Sequence, residues 1–319
     1  MGSGAYSSSA HADLLKARAD QPVEVVFKQR DVHALMNPKG VRVRECRDSA
    51  DHPASLGIVF ALDVTGSMGA IPRQLATQEL PRFMQVLMDA GVVDPQLCFM
   101  AVGDAIHDRA ALQVGQFEST AALMDQWLTS TWIEGGGGGN GHESYELALY
   151  FCAQHTELDC VVKRQHRGYL FMTGDELPYE RLSKHVVETV LGDALDDDLT
   201  LAQIVAELQK SYVPFFLVPD PSRRQKIEAT WRAVLGDHVL CLESPGDVCF
   251  VAAGALLVGE RVVTDEAGLV AALTRGGLAP GRAGAVLTAL RPLLTPAPAG
   301  APTPAEPGLL KRLFGAFGG

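Results

Sequence analysis

The sequence predicts an α/β fold in which helices cover both faces of a doubly wound, mostly parallel sheet. Three observations lead to this prediction: short apolar runs recur along the chain, they are continuous rather than alternating, and longer segments of helical periodicity separate them. Continuous apolar character indicates strands that are buried on both faces, as in a parallel sheet between helical layers. Alternation of such strands with helices is the pattern of a doubly wound fold.

Five apolar runs supply the predicted strands. They are Leu56–Leu62, Leu97–Val102, Tyr169–Met172, Val213–Val218 and Val239–Leu242. Pro72 suits the first turn of the helix after the first strand, because a residue without an N–H loses no hydrogen bond there. The predicted helices are Pro72–Ala90, Thr120–Thr129, Ser144–His155, Tyr179–Leu191, Leu199–Ser211 and Arg223–Leu235.

The segments on either side of this core extend it. In the N-terminal extension, residues 1–54, alternation at Val23–Phe27 and Val41–Val43 predicts edge strands or a clasp packed on the core. The α/β domain itself is assigned to residues 55–245. In residues 246–294, the run "GDVCFVAAGALLVGE" predicts a buried helix, and two further amphipathic segments predict a helical pair packed on the domain.

The chain ends in a linker and a short amphipathic motif. Residues 295–308 are rich in Pro and Ala, a composition that cannot bury apolar surface. In the motif, residues 309–319, Lys311 and Arg312 face away from one apolar stripe. We expect this motif either to dock in a groove of a partner protein or to fold back on its own domain. The stripe consists of Leu309, Leu310, Leu313, Phe314 and Phe317.

Composition restricts the partners and the compartment. The 319 residues include 27 basic and 38 acidic ones, and a formal charge of −11 argues against a nucleic-acid-binding surface. The six cysteines show neither a CxxC motif nor zinc-ligand spacing, which is typical of reduced thiols in a cytoplasmic protein. Since no apolar stretch approaches the ~20 residues that span a bilayer, we expect no stable membrane insertion.

Oxygen-bearing side chains follow three of the predicted strands. The carboxyl ends of parallel strands meet at one edge of a sheet, where ligands collect. Hard oxygen ligands without paired histidines or cysteines suit Mg²⁺ or Ca²⁺, with Mn²⁺ as a transition-metal substitute. The candidates are Asp63, Thr65, Ser67, Asp104 and Asp175 from the strand ends, with Asn140 and Glu143 from the loop "EGGGGGNGHES".

The string Asp63-Val64-Thr65-Gly66-Ser67 resembles the DxSxS signature of von Willebrand factor A (vWA) domains, with Thr in place of the first Ser. The wider string "DVTGSMG" is similar to the bacterial branch of that family, and the resemblance covers roughly residues 55 to 242. Such domains have a Rossmann-like sheet and a metal-ion-dependent adhesion site. The resemblance implies that Thr65 and Ser67 coordinate a divalent cation, Mg²⁺ first, and that Asp63 contributes directly or through water.

Two other ligand regions depart from the family pattern. The loop that usually reads GGT has Gly139 where the threonine would align. Candidates to replace that ligand are Asn140, Glu143 and Asp104. The usual strand-end TDG appears as Thr173-Gly174-Asp175, so the acid stands one position late, and we expect Asp175 to take its role.

The resemblance implies a binding module rather than an enzyme. With neutral hydroxyls and water in much of its inner shell, a divalent cation keeps net positive character and an open position, which a carboxylate of a partner protein completes. Bacterial proteins of this type resemble adaptors for MoxR-type AAA+ ATPases or components of stress and conflict systems. The resemblance extends both expectations to this chain.

Two other interpretations stay open from the residues. Ser67 lies in a strand-to-helix turn, and His107, His142 and His155 are candidate bases for a hydrolase. The local order G-S-x-G, however, lacks the G-x-S-x-G spacing of a nucleophile elbow. The other interpretation is a metal-free pseudo-site that scaffolds partners, which the departure at Gly139 leaves open. A simpler role for the Thr65 and Ser67 hydroxyls alone is to cap the following helix.

Overall fold

A central sheet of six strands organises the chain. The protein is described by a computed structural model over residues 4–18, 20–66, 68, 70–135 and 139–294. The strands of the sheet are β1 (Leu56–Asp63), β2 (Pro95–Val102), β3 (Leu112–Val114), β4 (Gly168–Thr173), β5 (Tyr212–Val218) and β6 (Val239–Cys241). The five strands predicted from apolar runs are confirmed as β1, β2, β4, β5 and β6. The short β3 was not predicted.

The strand order across the sheet is β3-β2-β1-β4-β5-β6. All neighbours are parallel except β2 and β3, which are antiparallel. This is the order of Rossmann-like doubly wound sheets, and the predicted fold class is confirmed. The chain winds first outward from β1 through β2 and then returns to β4 on its other side. The gap between the carboxyl ends of β1 and β4 is therefore the topological switch point, where such folds bind ligands.

Burial on both faces explains why the core strands are continuously apolar. Every residue of β1, β2 and β4 is buried. Phe60 in the middle of β1 meets Phe83 edge to face, with the ring centroids 5.0 Å apart, and Phe171 of β4 at 5.5 Å. Full burial of one such side chain contributes about 2 kcal/mol to folding. This aromatic cluster fixes β1 and β4 next to each other.

Helices cover both faces of the sheet. After β1 the chain forms Ala70–Gln74, a π-helical turn at Leu75–Glu79, and Leu80–Asp89, which together occupy the predicted Pro72–Ala90 segment. The predicted helix at Tyr179–Leu191 is shorter than expected, because Ser183 caps a helix that begins only at Lys184. The remaining helices of this layer are Ala121–Thr129, Tyr145–Gln154, Asp159–Arg164, Lys184–Val190, Leu201–Leu208 and Arg224–Leu235.

The N-terminal extension differs from the prediction of edge strands. It contains the helix Ser8–Arg18 and a helical turn at Val23–Val26, where the Val25 N–H donates to the Pro22 carbonyl. Proline favours the first turn of a helix, which explains this conformation. The only extended pairing that the described part of the extension makes is Arg44–Cys46 with Thr156–Leu158, in a separate two-stranded sheet.

The C-terminal helices follow the prediction. Val248–Gly259 is buried along most of its length, and the pair Glu266–Arg275 and Ala283–Leu294 packs beside it. Gly254 allows the close crossing, since a Cβ there would lie 2.4 Å from a methyl carbon of Leu290. Among the described residues, no helix is long and apolar enough to cross a bilayer. The linker and the amphipathic motif after residue 294 lie outside the described residues.

Candidate functional site

Asp63 lies at the centre of the candidate site. It is the last residue of β1, at the switch point, and it is fully buried. Its Oδ1 accepts hydrogen bonds from the Thr65 backbone N–H at 3.0 Å and from the Thr65 hydroxyl at 2.6 Å. A hydroxyl that donates its proton to a carboxylate keeps its oxygen lone pairs for another partner. Ser67, the second predicted hydroxyl ligand, lies outside the described residues.

Tyr145 holds the other oxygen of Asp63, a contact that the sequence did not reveal. Its hydroxyl donates to Asp63 Oδ2 at 2.5 Å from the first residue of the helix Tyr145–Gln154. The same hydroxyl lies over Gly174, where a Cβ would stand only 2.3 Å from it. Only glycine fits at position 174, which explains why the acid after β4 comes one position later, at Asp175.

Asp175 is buried beside this pair and has a cationic neighbour. Its Oδ2 lies 3.3 Å from Nε of Arg223, and its side chain is 1% exposed. Nη1 of Arg223 also lies 3.3 Å from Oε1 of Glu176, which in turn pairs with Lys226. Basic residues just before and within the first turn of the Arg224–Leu235 helix therefore face the acids after β4. Sequence analysis did not single out Arg223.

Glu143 is a buried acid with no ion-pair partner in the part of the chain that the structure describes. It lies in the short strand His142–Glu143, which pairs with Leu177–Pro178 and so brings the glycine-rich loop next to the end of β4. Within the described parts of the chain, its Oε2 has no hydrogen-bond partner. Burial, followed by repulsion from Asp63 and other nearby acids, raises the pKa of Glu143 to about 9.

The pKa of Asp63 shows the same shortage of positive charge. Burial raises this pKa to about 6, although hydrogen bonds from Thr65 and Tyr145 lower it and Asp175 raises it further. An ionised carboxylate removed from water needs a nearby cation or several donors to offset its desolvation. The edge of the sheet therefore holds more acid than its own basic groups neutralise.

Asp104 and Asn140 are joined in a hydrogen-bonded network. The buried carboxylate of Asp104 accepts hydrogen bonds from the Ile106 N–H at 3.0 Å, the Tyr179 hydroxyl at 3.0 Å and the Asn140 amide at 3.2 Å. These bonds tie the loop after β2 to the glycine-rich loop. Gly139 opens the described end of that loop with φ of +66°, a conformation that disfavours the threonine of the family pattern.

The donors at this edge fit a hard divalent cation. Within the ranges that the structure describes, no three His, Cys, Asp or Glu side chains converge as a metal cage. A cation would therefore depend on the Thr65 hydroxyl as well as on carboxylates. Oxygen donors of this kind suit Mg²⁺, Ca²⁺ or Mn²⁺ rather than zinc. The buried Oε2 of Glu143 is the acceptor that such a cation would satisfy.

The candidate bases of the hydrolase interpretation occupy different places. His155 follows a helix that starts at the site, and ten residues of helix carry it roughly 15 Å away. Its Nε2 lies 2.6 Å from Asp193, and its Nδ1 lies 2.9 Å from the Val41 carbonyl. His142 stacks on Tyr179, and Nε2 of His107 lies 4.0 Å from Asp104. Both ring nitrogens of His155 are thus engaged in holding other segments.

Comparisons with known proteins find similarity among solved structures. No family model matches the sequence, and no curated protein matches it. Among solved structures, the pilus adhesin SpaC from Lactobacillus rhamnosus GG shares 8% identity at a TM-score of 0.41, over 68% of this chain and 31% of that one. Proximal thread matrix protein 1 from the mussel byssus shares 11% at 0.41, over 70% and 51%.

A von Willebrand factor type A protein from Catenulispora acidiphila is also similar, with 12% identity and a TM-score of 0.35, over 66% of this chain and 42% of that one. The chain thus spans between 31% and 51% of the length of these three structures. At scores of this size, the fold assignment rests on the strand order of the chain itself.

Proposed function

We propose that this chain is a protein-binding module in which a divalent cation, Mg²⁺ first, captures a carboxylate of a partner protein. The observation that supports this most is the pairing of Thr65 with Asp63. The Thr65 hydroxyl gives its proton to the buried carboxylate and leaves its lone pairs for a cation. The residues proposed to hold the cation are Asp63, Thr65, Ser67, Asp175 and Glu143, the last in place of the missing loop threonine.

Each residue of the proposed site has a separate role. Asp63 orients the Thr65 hydroxyl, and Tyr145 fixes the second oxygen of Asp63. Burial keeps water from screening the acids, so their attraction for a cation stays strong. When bound with the Thr65 and Ser67 hydroxyls as direct ligands and the acids acting partly through water, the cation would keep positive charge that attracts the partner's carboxylate. No bond is broken in this proposal, and the chain acts as an adaptor.

The partner is proposed to present an exposed Asp or Glu side chain. A MoxR-type AAA+ ATPase assembly, or a component of a stress or conflict system, is the partner class that the resemblance of "DVTGSMG" implies. Asp104 and Asn140 have a supporting role in this proposal, because their hydrogen bonds hold the loop that carries Glu143.

Titration calorimetry with MnCl₂ or MgCl₂ tests the cation site. We expect the wild-type chain to bind and Asp63→Asn to lose binding. The matched control is Asp220→Asn, which removes the same charge after β5 and keeps an acceptor for the Ser222 N–H. Equal binding by Asp63→Asn and the wild type would refute the assigned site, as would a wild type that binds neither ion.

Water-proton relaxation tests the open position. Mn²⁺ bound with exchangeable water enhances the relaxation rate of the solvent, and a carboxylate that replaces this water reduces the enhancement. We expect a short Glu-containing peptide to reduce it and the matching Gln-containing peptide to leave it unchanged. Equal responses to both peptides would contradict carboxylate capture while leaving the metal site intact.

A further inference from the structure

We infer that Arg223 is a built-in counter-cation of the site, which competes with the divalent cation for Asp175 and so sets its affinity. This inference rests on the proposed function. It assigns a role to a residue that lies outside the motif strings and that contributes no oxygen ligand.

The contacts of Arg223 place its charge within the site. Nε lies 3.3 Å from Oδ2 of the buried Asp175, and Nη1 lies 3.3 Å from Oε1 of Glu176. The side chain of Arg223 is 35% exposed, so one face touches the acids while the rest reaches solvent. Asp175 thus has a cation beside it, whereas Glu143 has no ion-pair partner among the described residues.

The backbone before the helix holds Arg223 in this position. The Asp220 carboxylate accepts the Ser222 N–H at 2.8 Å, and the Asp220 carbonyl accepts the Arg223 N–H at 3.1 Å. Arg223 is then the residue before the Arg224–Leu235 helix, and its side chain makes no capping bond there. A turn of this kind orients the Arg223 side chain through backbone hydrogen bonds, so the guanidinium itself is left to contact the acids.

Arg224 shows that this direction is specific to one residue. Its Nη2 lies 3.2 Å from Oε1 of Glu243 and 3.3 Å from the Leu242 carbonyl, beyond β6. The two adjacent arginines have similar exposure but contact different acids. Of the two arginines, Arg223 alone contacts the acids at the carboxyl edge, and Arg224 is therefore a control for it.

Competition follows from electrostatics. A divalent cation and a guanidinium that share one carboxylate repel each other, and the nearby charge changes the affinity of the site. The exposed part of Arg223 gives it a route to solvent when a cation takes Asp175, while Glu176 remains beside it as a second partner.

The first test measures the metal-free chain. We expect Arg223→Gln to lower the melting temperature in EDTA by about 3 °C, because Asp175 stays buried without its cation. Arg224→Gln should cost less, since the acid that it leaves, Glu243, is exposed. In a chain that already carries Asp175→Asn, the effect of Arg223→Gln should disappear. An undiminished effect there would overturn the pairing.

The second test measures MnCl₂ affinity by calorimetry. We expect Arg223→Gln to bind about tenfold more tightly than the wild type and Arg224→Gln to bind like the wild type. Unchanged or weaker binding by Arg223→Gln, with binding that still requires Asp63, would overturn the inference and leave the proposed function standing. Absence of Mn²⁺ binding in both the wild type and Arg223→Gln would refute the proposed function and with it the competition.

Discussion

The acids at the two edges of the central sheet have different partners. At the amino edge, Asp48 accepts two hydrogen bonds from the Arg164 guanidinium at 2.8 and 3.0 Å, and Asp159 lies 2.7 Å from Nζ of Lys163 and 3.0 Å from Nη1 of Arg47. At the carboxyl edge, Asp175 lies beside Arg223, but Asp63 accepts only from the Thr65 N–H and from hydroxyls in the described ranges, and Oε2 of Glu143 has no partner there.

The pKa values of these acids follow the number of nearby cations. Arg164 holds the pKa of Asp48 well below its ordinary range. Burial raises the pKa of Asp159, but hydrogen bonds from Lys163 and others outweigh it and the net shift is downward. At the other edge, burial raises the pKa of Asp63 to about 6 and that of Glu143 to about 9.

The difference in pKa indicates that the acids of the amino edge have a structural role and that those of the carboxyl edge are candidates for binding. At the amino edge, basic side chains neutralise Asp48 and Asp159, so these acids need no ligand. Their ion pairs connect the N-terminal extension to the start of the sheet. At the carboxyl edge, Asp63 and Glu143 are buried with raised pKa values, which is typical of acids in binding and catalytic sites. A cation from solution is the compensation that we propose for them.

The largest expected effect is a change of stability with pH that originates at the carboxyl edge. Because Asp63 has a folded pKa of about 6 against an ordinary 3.8, the folded chain binds its proton more tightly than the unfolded chain. The contribution of Asp63 to stability in EDTA should therefore fall by about 2.5 kcal/mol as pH rises from 4 to 8, with about 2 kcal/mol of this fall between pH 4 and 6. Urea unfolding at pH 4, 6 and 8 measures it.

Asp63→Asn is the matched variant, because it cannot ionise. Its free energy of unfolding should exceed that of the wild type at pH 8 and approach it at pH 4. The acids of the amino edge, with lowered pKa values, contribute stability above about pH 4 that is lost only at lower pH, so the two windows do not overlap. A gap between wild type and variant that stays constant from pH 4 to 8 would show that Asp63 is not held at electrostatic cost.

The second effect is a loss of compensation at the amino edge. Arg164→Met should cost about 2 kcal/mol in free energy of unfolding at pH 7, because Asp48 loses its bidentate partner and the Ser55 carbonyl loses a donor. Arg167→Met, three residues along and exposed, should cost much less. If both variants unfold at the same urea concentration, the amino edge is not the compensated region described here.

The smallest expected effect is a difference in the free energy of unfolding between variants at two tyrosines of one helix. Tyr145→Phe removes the hydroxyl from Asp63 and should cost about 1 kcal/mol at pH 8. Tyr150→Phe removes a hydroxyl from Asp193, whose charge His155 also offsets, and should cost less. Both follow from urea unfolding in EDTA. A larger cost for Tyr150→Phe would reverse the comparison between uncompensated and compensated acids.

Much of the fold could be predicted from local pattern. The strands β1, β2 and β4 are buried on both faces, so their apolar runs are continuous and visible in the sequence. The positions of Asp63, Thr65 and Asp175 after strand ends are local as well. The helical turn Val23–Val26 was predicted as a strand because a segment of only four residues is too short to distinguish the period of a strand from that of a helix.

The partners of the site residues could not be predicted in this way. Tyr145 reaches Asp63 across 82 positions of sequence, and Arg223 reaches Asp175 only because β5 and the following helix lie beside β4. No periodicity encodes such contacts. Asp104, predicted as a ligand, shows the same point, since Asn140 and Tyr179 take up its oxygens from another loop.

The sequence by itself determined the sheet, its parallel direction and the place of the acids at its carboxyl edge, because apolar periodicity and strand ends are properties of neighbouring residues. Only the tertiary structure decided which acids are neutralised. Whether an acid is neutralised depends on distances of a few ångströms between segments that are far apart in the chain. A guanidinium next to a carboxyl group lowers its pKa and favours the ionised form, whereas burial without such a neighbour raises the pKa and favours the neutral form.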